Sequence, residues 1–197
     1  MLTDAKKKEL LVFYTIVQTN KCSLRELSQV LSIPKRTIKE IIRKLNGTIF
    51  QQLSIPRFIY STAKGELKLD SQHKDEKMAI FHYIKLFFLR ESNRFNFLLL
   101  LFDSPHSRVS KKILLEKLYI SPSYLEKLTN QLNKSLKKFH LQIISRQNCY
   151  ILKGDELSIR IYMYFFFSDA FQGIDWPLTN MKLSQVKHTH LSNELLM

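Results

Sequence analysis

The chain has 197 residues, which is enough for one or two small domains. It carries 31 basic against 17 acidic side chains, and the resulting net charge of +14 indicates a polyanionic partner. Four isolated glycines and two cysteines without metal-ligand spacing exclude Walker-type and Rossmann-type nucleotide sites, a disulfide framework and a structural zinc site, so no cofactor is expected.

The basic side chains occupy two similar blocks, residues 1–70 and 71–155, whereas residues 156–197 are close to neutral. A membrane-surface protein would concentrate such charge on one amphipathic helix, so nucleic acid is the better candidate. The longest apolar stretches, Ile80–Phe102 and Leu157–Phe171, are interrupted by charged residues, so neither contains the uninterrupted ~20 apolar residues that a membrane helix requires. We therefore expect a soluble, cytoplasmic protein without a membrane partner.

The first domain is predicted over residues 1–70. A helix over Lys6–Thr19 precedes Ser23, which is placed to cap the next helix in a capping box with Glu26. A short turn follows, and Pro34 opens a second helix because a proline at the first helical position loses no hydrogen bond. This second helix turns its apolar residues inward: Ile38, Ile41, Ile42 and Leu45.

A β hairpin is predicted after this helix-turn-helix. β-branched and aromatic residues at 58–60 and apolar residues at 67–69 flank a turn that contains Gly65. The polar stretch 70–76 then forms the boundary between domains. The first unit is therefore predicted to be a winged helix-turn-helix.

The segment Ser23–Asn46 recurs as Ser110–Asn133, at a constant offset of 87 positions. Two copies are too few for a solenoid, so the repeat predicts a duplicated domain, with the second copy over residues 71–155. The paired residues are Leu27 with Leu114, Leu31 with Leu118, Ile33 with Ile120, Ile38 with Leu125, Ile41 with Leu128, Leu45 with Leu132, and Asn46 with Asn133.

The second domain repeats the predicted elements of the first. Helices over Lys77–Arg90 and Phe95–Phe102 precede the repeated motif, in which Ser110 is an N-cap and Pro122 opens the second helix. A hairpin is predicted from residues 141–144 and 149–152. The fold class is therefore mainly α with small β wings, as two tandem winged helix-turn-helix domains.

Residues 156–180 are predicted to contain an apolar helix, Glu156–Phe171, that leads toward an absent regulatory domain. Its apolar residues exceed what one small winged domain can cover, which favours a missing neighbour. Residues 181–197 are predicted to be a flexible tail, in which His188 and His190 form only a weak metal-site hypothesis.

The outward faces of the two second helices are the candidate DNA contacts. The helices Pro34–Asn46 and Pro122–Lys138 would enter major grooves, with lysines and arginines on phosphates and Asn130 or Gln131 on bases. Tyr124 has two open roles, a phosphate or stacking contact and packing against its own domain. The DNA-binding candidates are Lys35, Arg36, Lys39, Arg43, Lys64, Ser123, Tyr124, Lys127, Asn130, Gln131, Lys134 and Lys137, with Lys68 and Arg146 as further wing residues.

Several segments resemble the Mga and AtxA type of transcription regulators from Gram-positive bacteria. The resemblance covers about residues 1–177 and rests on Lys117–Leu128, Leu132–Leu136, Gly154–Arg160 and the pair Trp176-Pro177. It implies binding to double-stranded DNA, with RNA polymerase and a second copy of the chain as further candidate partners. Members of that family carry sugar-phosphotransferase-like and EIIB-like domains beyond this point, so the chain is expected to be an N-terminal fragment or a truncated member.

Other functions remain as alternatives. The basic faces can be ordinary solvated helix surfaces, and the winged domains can be protein interaction modules that use the apolar helix around Ile159–Phe167. RNA binding is less favoured because no aromatic sheet face is evident. An enzyme is not expected, since the sequence lacks Gly-x-Ser-x-Gly, HExxH and paired-carboxylate motifs.

Overall fold

The computed structural model describes residues 1–19, 22–62 and 65–172. These residues are mostly helical and contain two three-stranded antiparallel sheets, as the predicted class of helices with small β wings requires. The helices are α1 Asp4–Gln18, α2 Leu24–Leu31, α3 Lys35–Leu53, α4 Lys77–Arg90, α5 Asn93–Phe102, α6 Lys111–Leu118, α7 Pro122–Leu136 and α8 Glu156–Phe171. The strands are β1 Cys22–Ser23, β2 Ile59–Ser61, β3 Glu66–Leu69, β4 Arg108–Ser110, β5 Gln142–Arg146 and β6 Cys149–Lys153.

The described chain divides into two compact units. The first comprises Met1–Phe95 and the end of α8 from Phe167, and the second comprises Asn96–Phe166. The predicted boundary near residue 70 separates the two sheets but not these units. Helix α4 packs into the first core, where the Phe81 ring lies 5.5 Å from that of Phe13 and Ile84 is fully buried.

The two units repeat one order of elements: strand, helix, helix, strand, strand. The first contains β1, α2, α3, β2 and β3, and the second contains β4, α6, α7, β5 and β6. In both sheets the last strand lies in the centre, giving the orders β1-β3-β2 and β4-β6-β5. The predicted hairpins are therefore joined by a third strand, which at two or three residues is too short to show a periodic pattern in sequence.

The predicted apolar faces form the cores of the two helix pairs. Helices α2 and α3 bury their repeated apolar side chains in the first unit, and α6 and α7 do the same in the second. Helical spacing explains this, because residues three and four apart share one face of a helix. The buried residues are Leu27, Ile38, Ile41 and Leu45 in the first unit, and Leu114, Leu125, Leu128 and Leu132 in the second.

The helix starts largely follow the predicted caps. The Ser23 side chain accepts from the Glu26 backbone N–H at 3.1 Å, and the Glu26 carboxylate accepts from the Ser23 N–H at 2.7 Å, which completes the capping box. That backbone hydrogen bond is the main reason why the pKa of Glu26 is lowered. Ser110 likewise caps α6.

The two prolines are not equivalent, although both were expected at the first helical position. Pro34 is the N-cap of α3 and makes no side-chain capping bond, whereas Pro122 is the first residue of α7 behind the N-cap Ser121. The offset of the repeat explains this difference, because it aligns Pro34 with Ser121. Of α3 and α7, only α7 therefore has a side-chain cap.

The second helices also end differently from the prediction. Helix α3 continues past Asn46 to Leu53 because Ile49 extends its buried face and Gly47 is accommodated without interrupting the helix. Helix α7 stops at Leu136 and is followed by a short 3-10 helix.

The C-terminal helix α8 agrees with its predicted bounds and is partly covered. Tyr162 and Phe166 are buried, with the Phe166 ring 5.1 Å from that of Phe102. Near its end, the Asp169 carboxylate accepts from the Lys85 ammonium at 2.6 Å. Several large side chains remain exposed, as predicted from the excess of apolar residues: Leu157, Ile161, Tyr164 and Phe165. No helix among the described residues is long and apolar enough to cross a membrane.

An asparagine in each unit ties the second helix to the first strand of the wing. The Asn46 amide donates to the Ile59 carbonyl at 2.7 Å and accepts from the Ile59 N–H at 2.9 Å. Asn133 makes the same pair of bonds to Ile143, at 2.9 and 2.7 Å. We call these the Asn46 clamp and the Asn133 clamp. Each clamp joins the wing to the helix that precedes the wing in the chain.

Removing a clamp should destabilise its unit. Asn46→Ala or Asn133→Ala leaves the N–H and carbonyl of a buried isoleucine without their partners, which should lower the free energy of unfolding by about 1–3 kcal/mol. Urea denaturation of each variant measures the change. Asn130→Ala, on the exposed side of α7, is the control and should change stability by less than about 0.5 kcal/mol. Equal stability of the clamp variants and the control would contradict this role.

Candidate nucleic-acid interface

Helix α3 presents a cationic face to solvent. Lys35, Arg36, Lys39 and Arg43 are all exposed, outside the face of the helix that carries the buried core positions. Their spacing places them along one side of about two turns of helix. Four of the residues predicted to bind DNA in the first unit are therefore brought together on one surface.

Two open grooves run beside this face, one on either side. The first, of about 540 Å³, lies between the starts of α2 and α3 and is lined by Ser23, Leu24, Arg25, Lys35, Arg36, Lys39, Glu40 and Gly65. The second, of about 450 Å³, lies between α3 and the wing, and its lining includes Lys39, Arg43, Asn46, Arg57 and Tyr60. Lys39 lines both grooves.

Arg25 and Arg57 join this surface although the sequence did not identify them. Both are exposed, one in the first turn of α2 and the other just before β2. Arg25 reaches the surface through the groove that it lines with Lys35 and Arg36, a proximity that helical spacing within α3 does not predict. The proximity of Arg57 depends on the path of the chain into the wing.

Helix α7 of the second unit presents a more mixed face. Ser123, Tyr124, Lys127, Asn130 and Lys134 are exposed, and Lys137 is exposed in the short 3-10 helix that follows. Gln131 is only half-buried. Tyr124 is not enclosed by its own unit, since 44% of its surface is accessible.

The predicted wing residues have different outcomes. Lys64 lies outside the described residues. Lys68 is half-buried on β3, with its ammonium 3.9 Å from the Glu66 carboxylate, whereas Arg146 is exposed at the end of β5. In each unit the wing turn also closes on the first helix. The Leu24 N–H donates to the Gly65 carbonyl at 3.4 Å, and the Lys111 N–H donates to the Asn148 carbonyl at 2.7 Å.

In the second unit, the wing turn and helix α6 border a further groove of about 420 Å³. Its lining comprises Ser110, Lys111, Lys112, Leu115, Glu116 and Asn148. No group of three or more potential metal ligands occurs among residues 1–19, 22–62 and 65–172. The proposed His188 and His190 pair lies outside these ranges.

The start of α3 carries charges that oppose helix stability. Lys35 and Arg36 occupy its first turn, which contains no acidic residue, and the N-cap Pro34 makes no side-chain capping bond. Cations at a helix N-terminus interact unfavourably with the helix dipole, by about 0.3–1 kcal/mol each at the surface. Such placement is understandable if these cations serve a ligand rather than the fold.

Reversing one of these charges should separate stability from binding. Lys35→Glu puts an acidic group at the N-terminus and opposite Lys39 one turn on, so the free energy of unfolding should rise by about 0.5–1 kcal/mol. Affinity for duplex DNA should fall. Urea denaturation and a gel shift measure the two effects, and Lys35→Gln should give smaller changes in the same directions. Loss of stability in Lys35→Glu would show that Lys35 supports the fold.

Comparison with known proteins agrees with this geometry. A family model described as the Mga helix-turn-helix domain matches residues 79–167, which include both helices and the wing of the second unit. A protein of Streptococcus pneumoniae serotype 4 named "Putative trans-acting regulator" is 21% identical over 155 residues, covering 79% of this chain and 29% of the relative. The chain therefore spans less than a third of that relative's length. The predicted resemblance to Mga-type regulators is thus confirmed for residues 79–167, which match the Mga helix-turn-helix domain.

Proposed function

We propose that this chain binds double-stranded DNA as part of a transcription regulator, through two winged helix-turn-helix domains in tandem. The exposed cationic face of α3 is the observation that carries the proposal. The repeated order of elements in the two units, the Mga domain match and the name of the streptococcal relative support it. The function is binding rather than catalysis, and its setting is the cytoplasm.

In this proposal the second helix of each motif enters a major groove. The cations of α3 and the lysines of α7 neutralise phosphates, while Asn130 is the α7 side chain best suited to pair with adenine. The grooves beside α3 would receive the sugar-phosphate strands on either side of the helix. Because phosphate contacts dominate, affinity should depend strongly on charge and only moderately on sequence.

The alternative is a protein interaction module, and the exposed residues of α8 favour it. Leu157, Tyr164 and Phe165 offer apolar surface to a protein partner such as RNA polymerase or a second copy of the chain. The two functions differ in their response to DNA. A gel shift on random duplex DNA separates them, because an interaction module without DNA binding leaves the duplex unshifted.

Salt provides a direct test of phosphate-dominated binding. If about 6 to 10 phosphates are neutralised, affinity for a random duplex should fall by about 10³ to 10⁵ between 50 and 200 mM salt. Fluorescence anisotropy with a labelled duplex measures the slope of log affinity against log salt. An affinity that does not change with salt would exclude this mode of binding.

Neutralising the α3 face should weaken binding to every duplex. The triple change Arg36→Ala, Lys39→Ala and Arg43→Ala leaves up to three phosphates without a cation, so the salt slope should become shallower by roughly 0.9 for each of these phosphates. The matched control is Lys7→Ala, Lys8→Ala and Lys74→Ala, which removes the same charge from exposed positions outside this face. Equal affinities for the two triple variants would mean that net charge alone attracts the DNA.

A further inference from the structure

One carboxylate interrupts the cationic face of α3. Glu40 is exposed on the same side of the helix as Arg36 and Lys39 and lines the 540 Å³ groove with them. A carboxylate on a surface that binds phosphates repels them, so Glu40 should lower affinity if it acts alone. An acidic group in this position therefore requires an explanation beyond phosphate binding.

The contact that Glu40 makes supplies that explanation. Its Oε1 lies 3.5 Å from Arg36 Nε, one helical turn away, and the Arg36 side chain is 92% exposed. Such a surface pair contributes little to stability. The attraction favours the rotamer in which Nε faces the carboxylate, and in that rotamer the two terminal nitrogens remain as a pair of donors. This fork matches the O6 and N7 acceptors that guanine presents in the major groove.

We propose that Arg36, unlike the other cations of α3, contacts a guanine rather than a phosphate, and that Glu40 is the positioning residue that orients Arg36 for this contact. The proposal rests on the proposed function, since it requires α3 to lie in a major groove. Base contacts in helix-turn-helix proteins come from the N-terminal part of the second helix, where this pair lies. At the equivalent positions α7 has Ser123 and Lys127, which cannot form the pair, so this guanine contact belongs to the first unit.

The test begins with the whole 197-residue chain and a randomised double-stranded DNA library. A duplex selected from the library is compared with versions in which each guanine is replaced in turn. One replacement should weaken binding of the unmodified chain by roughly 5- to 100-fold, as expected for a bidentate base contact. Arg36→Ala should abolish the difference at that position. Glu40→Gln should reduce it by at least about threefold, because the arginine fork is no longer held.

The control is Glu156→Gln, which removes the same charge from an exposed carboxylate that also faces an arginine one turn away, with Glu156 Oε1 2.8 Å from Arg160 Nε. It should leave guanine discrimination unchanged. In the Arg36→Ala background, Glu40→Gln should raise affinity for all duplexes without altering base preference, because only its repulsion of phosphates remains. This double variant distinguishes positioning from a direct contact of Glu40 with a base.

Three results would overturn the inference. If Glu40→Gln raises affinity for all duplexes and keeps the full guanine discrimination, Glu40 is only a surface charge. If Glu40→Gln changes a base preference that persists in Arg36→Ala, Glu40 contacts DNA itself. Both results leave the proposed function intact. If the unmodified chain binds no duplex at all, the proposed function fails and this inference fails with it.

Discussion

The geometry of each unit depends on an asparagine that binds the backbone of its wing. The Asn46 and Asn133 clamps each satisfy both the N–H and the carbonyl of one buried isoleucine. Without the clamp, the second helix of the motif and the first wing strand would share no hydrogen bond at that point, and two buried backbone groups would lack partners. The clamp thus holds the first strand of the wing against the second helix of the motif.

On this common scaffold the two outward faces have diverged. The first unit concentrates lysine and arginine at the N-terminal half of α3, where the helix dipole disfavours them. The second unit caps its helix with Ser121 and presents serine, tyrosine and asparagine along with lysine. The scaffold therefore tolerates both an unfavourably charged face and a mixed polar face, because neither contributes to the core.

Much of the fold was predictable because helices can be recognised from the spacing of their apolar residues. The repeat between Ser23–Asn46 and Ser110–Asn133 predicted the paired motifs, and the Ser23 and Glu26 capping box was confirmed. The sequence does not show which core α4 joins, since an apolar helix can pack against either neighbouring core. In the structure, Phe81 of α4 packs against Phe13 of the first core. Two short strands were missed because two or three residues carry no periodic signal.

The candidate site was predictable where it lies on one helix and not where the fold assembles it. The exposed positions of Lys35 and Arg43 follow from helical spacing, whereas Arg25 and Arg57 join the face from other elements. The sequence paired Asn46 with Asn133 without revealing their role, because their partners are backbone atoms that any residue carries. The DNA contact predicted for Lys64 stays a prediction.

The clamps bind backbone atoms and not side chains, and this has an evolutionary consequence. A clamp directed at backbone atoms does not constrain which residues occupy the wing or the solvent side of the helix. Under the proposed function, the two units present different DNA-binding surfaces on the same backbone scaffold. A duplicated protein built in this way can acquire a new DNA target one surface residue at a time, while the other unit keeps the protein bound to DNA.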